Sequence, residues 1–198
     1  MALGIAFLTG QPHLDSCSLS QDQQQFAQQL IRRGVHLEPL NFPYREGMKP
    51  YRQQSPVATA LTLSWQYLRS RTQQFSDNYS ACLRDLINKH PRTLFLAGHC
   101  GLEFLNNIEL PESCHHRIHV LAYGPIARCR LNYPTMLVQG RRDWISKIFF
   151  SDTDFQIQCG VSDYLRSPEL LQLARLKIDK LLQDIPTPAP QKPVSSIS

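Results

Sequence analysis

Apolar residues along this chain fall into two alternating patterns. Short continuous runs have the length and composition of strands: Gly4–Thr9, Val35–Phe42, Thr93–Ala97, Ile118–Tyr123, Thr135–Val138 and Phe155–Gln158. Between them, apolar residues recur three and four apart, the period of a helix with one buried face. Phe26, Ala27, Leu30 and Ile31 follow a capping serine, Ser18 or Ser20, and Gly34 supplies a stop. Ser55-Pro56 opens a second helix, with Leu61, Trp65 and Leu68 at helical spacing. Ser76 opens a third, lined by Tyr79, Cys82, Leu83, Leu86 and Ile87 and ending before His90-Pro91. Ser167-Pro168-Glu169 opens the last, whose expected buried face is Leu171, Ala174, Ile178 and Leu181. Runs that are apolar throughout are covered on both sides. The pattern therefore predicts an α/β three-layer sandwich with a mostly parallel central sheet.

Composition refines this picture in a few places. The 198 residues suffice for one core, expected to span residues 1–185. Residues 186–198 are Pro-rich and poor in apolar side chains, which predicts a disordered tail. The net charge of +5 comes from scattered Lys and Arg without interleaved aromatics, so no nucleic-acid partner is expected. Six cysteines form no CxxC pair, and free thiols in a cytoplasmic setting are the simpler expectation. The apolar start lacks a basic n-region and reads as a buried strand; no run is long enough to span a bilayer.

Gly98-His99-Cys100-Gly101 stands where a strand runs out and a helix can begin. A thiol on such a turn would face backbone N–H groups able to hold an oxyanion. The plainer alternative is a tight glycine turn around a small buried thiol. His13, in the loop after Gly10, lies on the same sheet edge and is the candidate base. His36 reads as a strand residue and His90 as a cation at a helix C-terminus. Cys114, His115, His116 and His119 match no familiar zinc spacing, so neither a metal nor another cofactor is expected. Residues 43–55, with Tyr44 and Arg45, form the one loop long enough to wall a substrate pocket. The short link from Tyr123 to Thr135 predicts an open site with no cap domain.

The order strand, Gly-His-Cys-Gly, short helix, strand, Leu137-Val-Gln-Gly140-Arg-Arg-Asp143, then Gly160-Val-Ser-Asp163 and a final helix resembles the α/β-hydrolase superfamily, over roughly residues 4–182. The resemblance implies Cys100 as nucleophile and Asp143 as acid. It implies the N–H groups of Gln11 and Gly101 as oxyanion hole, beside Gly10, and His99 pointing away into structure. Three departures stand out: Cys replaces the usual Ser, Leu102 replaces the second elbow glycine, and Asp163 occupies the histidine position. A carboxylate ionises near pH 4 and does not serve as a base near neutrality. Two functions follow as expectations. One is a Cys-dependent esterase, thioesterase or acyltransferase acting on a small acyl substrate or an acyl carrier or protein. The other is a catalytically degenerate hydrolase fold serving as a binding or interaction module. A nucleotide-binding protein would need a Gly-rich loop after the first strand, which Thr9-Gly10-Gln11-Pro12 does not provide.

Overall fold

The computed structural model describes residues 2–46 and 49–184. In chain order its elements are β1 (Leu3–Thr9), α1 (Gln21–Gln28), β2 (Val35–Leu37), α2 (Pro56–Arg69), α3 (Gln73–Asn88), β3 (Thr93–Gly98) and α4 (Gly101–Asn107). There follow α5 (Glu112–His115), β4 (Ile118–Tyr123), β5 (Thr135–Gly140), α6 (Trp144–Phe149), β6 (Phe155–Ile157), a 3₁₀ turn (Tyr164–Arg166) and α7 (Pro168–Gln183).

Every residue of β1 is buried, and its side chains divide by parity between two cores. Ala6 and Leu8 join one, with Phe95 and Ala97 of β3 and Val120 and Ala122 of β4. Ile5 and Phe7 join the other, with Leu94, Leu96, Leu121 and Tyr123. A strand alternates faces at each residue, so a run apolar at both parities must carry a helical layer on each side. Leu83, Leu86 and Ile87 of α3 and Leu102, Phe104 and Leu105 of α4 cover the first face. Phe26 of α1 and Leu170, Ala174, Ile178 and Leu181 of α7 cover the second. The sheet is six-stranded in the order β2-β1-β3-β4-β5-β6, with every neighbouring pair parallel.

The caps explain where helices start. Ser20 and Gln23 form a capping box on α1, while Ser55 and Ser167 cap α2 and α7 ahead of a proline. Several elements differ from expectation. β2 stops at Leu37, because Leu40 instead makes an antiparallel bridge with Ser18 and Asn41 turns back to bond Thr9. α1 ends at Gln28, and Ile31, expected on its buried face, is 61% exposed. α3 begins at Gln73, so Ser76 lies inside it and accepts from the Glu109 N–H. The closing helix buries Leu170, with Leu171 only partly covered. The expected tail, 186–198, lies outside the described residues.

Glu103 of α4 is fully buried. It accepts from Arg71 at 3.2 Å, from the Arg128 guanidinium at 2.7 Å and from the Arg128 N–H at 2.9 Å. Burial raises its pKa, but the Arg128 N–H, Asn107 and the Arg128 charge outweigh that and hold it below the ordinary value. Among the described residues, no helix is long and apolar enough to cross a membrane.

Candidate functional site

In an open parallel sheet, ligands sit beyond the carboxyl ends of the strands, where successive connections leave in opposite directions. Here that place lies between β1 and β3, since the chain passes from β1 outward to β2 and then crosses back to β3. A cavity of about 210 Å³ opens there. Its walls include Gly10 to His13 after β1, His99 after β3, Tyr123 at the end of β4, and Tyr164.

The turn after β3 decides which side chain faces this cavity. His99 has φ +50, a left-handed conformation that non-glycine residues adopt only when their surroundings enforce it. Cys100 already has helical angles as the N-cap of α4. A Cβ on Gly101 would stand 1.8 Å from the Leu8 carbonyl oxygen, so α4 starts directly against β1 and only glycine fits. The corner of the turn is therefore His99, flanked two residues away on each side by the small Ala97 and Gly101. Its ring meets Tyr123 and Tyr164, each edge-on at 6.4 Å. Burial lowers its pKa, although Asp143 and the Gly124 carbonyl act the other way.

Cys100 is 2% exposed and does not line the cavity. The expectation of an exposed thiol is thus corrected: its Sγ packs beneath Gly10, where an added Cβ would lie 2.7 Å from it. Burial pushes the thiol up to about 12, against the lowering effect of the Gly10 N–H. His99, expected to point away, is the residue that lines the cavity instead.

Asp143 caps α6, which the sequence patterns did not indicate. Its Oδ1 accepts from the Ile145 and Ser146 N–H groups at 3.1 and 3.0 Å, and its Oδ2 accepts from the Tyr164 hydroxyl at 2.6 Å. Tyr164 also accepts from the Gly140 N–H at 2.7 Å. Burial, followed by the Asp143 carboxylate, drives the phenol far above its ordinary pKa. Asp163, one residue before Tyr164, is exposed and makes no capping bond, while Tyr164 holds Asp143.

The remaining candidates scatter. The Gln11 N–H, expected to be free for an oxyanion, instead donates to Gln66 Oε1 at 3.1 Å, and the Gln11 carbonyl accepts from Gln66 Nε2 at 2.6 Å. Tyr44 is not a cavity residue. Its hydroxyl donates to the Phe7 carbonyl at 2.9 Å, and its ring packs on Phe42. Arg45 is exposed and lies over the Tyr79 ring. The wall expected from residues 43–55 comes largely from α2, through Thr59 and Leu63, with Tyr51 contributing from the loop. His13 does line the cavity, and its Nε2 has no partner; buried Gln11 Nε2 has none either. Among the described residues no group of three His, Cys, Asp or Glu side chains could hold a metal ion. His119 is half-buried on β4, away from His115, which bonds the Leu110 carbonyl.

No protein-family model and no curated protein sequence matches the chain. What the fold and cavity define is an α/β protein with an all-parallel six-stranded sheet and a cavity of mixed polar and apolar lining at its switch point.

Proposed function

We propose that this is a catalytically degenerate, α/β-hydrolase-like domain without a cap domain, whose cavity binds a small uncharged polar ligand and does not turn it over. The observation that carries this reading is the Tyr164–Asp143 hydrogen bond beside a histidine corner. Where a hydrolase needs a nucleophile, this chain has His99. Where it needs a histidine on the acid, a tyrosine with a strongly raised pKa occupies Asp143. A phenol held protonated by burial is no general base near neutrality. The strand order and the Gly-x-x-Asp turn after β5 support the hydrolase likeness.

The ligand class follows from the lining. Thr9, Ser16, Ser162, Gln11 and His13 offer hydroxyl, amide and imidazole groups, and no Lys or Arg lines the cavity among the described residues. Asp22, the carboxylate in the wall, is paired with Arg166 at 3.0 Å. Two polar nitrogens left unpartnered, Gln11 Nε2 and His13 Nε2, cost free energy until something bonds them. A neutral hydroxyl- or carbonyl-bearing molecule meets these demands.

A second reading, a Cys-dependent esterase, thioesterase or acyltransferase, has one observation in its favour: the Gly10 N–H at the Cys100 sulfur favours thiolate. One experiment separates the two. The protein and its Cys100→Ala variant are assayed against p-nitrophenyl esters and acyl thioesters, with iodoacetamide labelling of Cys100 followed against pH. The binding reading expects no turnover and no labelling of native Cys100 near neutral pH. Turnover that disappears in the variant would establish the enzyme instead.

A further inference from the structure

An α-helix on a protein surface normally turns its polar side to solvent; α2 does the reverse. Its inward side, with Leu63, Gln66 and Tyr67, packs on the body, while Val57, Leu61, Trp65 and Leu68 are 72%, 67%, 46% and 61% exposed. Tyr67 meets Phe149 of α6 at 5.9 Å, so the two helices adjoin, and α6 adds Trp144 and Ile148, exposed by 66% and 72%. Both tryptophans of the chain are thus in water on neighbouring helices. Exposed apolar groups gathered in this way mark a binding surface.

The surrounding charge is mainly basic, with the exposed Glu46, Asp77 and Asp152 close by. Residues 47–76 contain no Asp or Glu but carry Lys49, Arg52, Arg69 and Arg71. Lys49 and Arg71 are engaged with Asp15 and Glu103, and Arg69 lies over the Trp65 ring at 5.0 Å. Beside α6 stand the exposed Arg141, Arg142 and Lys147; of the nearby carboxylates Asp143 is buried and Asp152 is exposed.

We infer that the outer face of α2, with the adjoining end of α6, docks on an anionic lipid surface. Apolar side chains including tryptophan enter the headgroup boundary, and a rim of cations meets the lipid phosphates and carboxylates. A second copy fits poorly. Packing this face against itself would set one predominantly basic rim against another. The inference stands apart from the cavity and its ligand.

Tryptophan emission makes the test direct, because Trp65 lies on this face and the chain's other tryptophan, Trp144, is on the neighbouring α6. Vesicles of phosphatidylcholine, with and without about one-third phosphatidylserine, are titrated into the protein, and bound protein is separated by flotation. The expected result is a blue-shifted emission and about tenfold stronger binding to the anionic vesicles. Leu61→Asp should abolish both effects, and Arg69→Gln should weaken only the preference for phosphatidylserine, with far-ultraviolet circular dichroism unchanged in each. No binding to the anionic vesicles, or equal binding to both kinds, would overturn the inference. So would a doubling of mass by light scattering without lipid together with the blue shift, which would show that a second copy covers the face.

Discussion

The Tyr164 hydroxyl stands 2.6 Å from Asp143 Oδ2, and the same oxygen accepts the Gly140 N–H at 2.7 Å. One phenol therefore ties the end of β5 to the cap of α6. Tyr164→Phe leaves a buried carboxylate oxygen and a backbone N–H without partners. The expected cost is about 2–3 kcal/mol, measured by urea unfolding, with the ring packing kept. A loss below about 0.5 kcal/mol would mean that the bond contributes little to the fold.

Glu103 is a second buried carboxylate with a different role, pinning Arg71 after α2 and Arg128 after β4 to α4. Glu103→Gln should destabilise the protein by about 3 kcal/mol, since it leaves guanidinium groups facing a neutral amide. Its folded pKa is depressed, so the stability it gives is present above the unfolded value of 4.5 and is lost as pH falls through the lower folded value. Acid titration of the variant should lack that last loss.

Gly101→Ala is the sharpest steric test. The added methyl would lie 1.8 Å from the Leu8 carbonyl, a backbone atom that no rotamer can move. We expect more than about 3 kcal/mol of destabilisation or failure to fold, read by thermal unfolding.

His119 sets a pH window of its own. Burial, then the charges of Lys177 and Arg92, lower its pKa from 6.5 to about 4. The unfolded chain takes up a proton near 6.5 that the folded protein refuses until about 4. Its contribution is therefore whole above 6.5 and lost as pH falls from 6.5 toward 4. His119→Gln should make stability fall less steeply in that window, measured by denaturant titration at several pH values. The slope that remains belongs in part to His90 and His99, whose pKa values burial also lowers.

Much of this architecture is readable from residue pattern. Apolar runs at both parities place β1, β3 and β4 in the middle of a parallel sheet, and Ser-Pro pairs place the starts of α2 and α7. Periodicity does not say which side of a helix finds a partner: Leu61, Trp65 and Leu68 repeat as a core stripe does, yet they face water. α6 escapes because it has only six residues and its start depends on the Asp143 cap. Within the site, the Gly-x-x-Asp spacing locates Asp143 after β5. The choice between His99 and Cys100 as the corner residue depends on backbone angles, and the symmetric small residues Ala97 and Gly101 were the available clue. The Tyr164–Asp143 contact joins positions 21 apart and leaves no local signature.

The position of β1 between β2 and β3 carries a consequence for biosynthesis. β1 leaves the ribosome before the other strands of this sheet, but its longer ladder is with Thr93–Gly98, whereas β2 offers only three residues of pairing. An apolar strand with one open edge must therefore wait through the synthesis of α1, α2 and α3 before its main partner exists. A chain built in this order depends on protection of that edge during translation, and slowing synthesis before residue 93 should increase the fraction lost to aggregation.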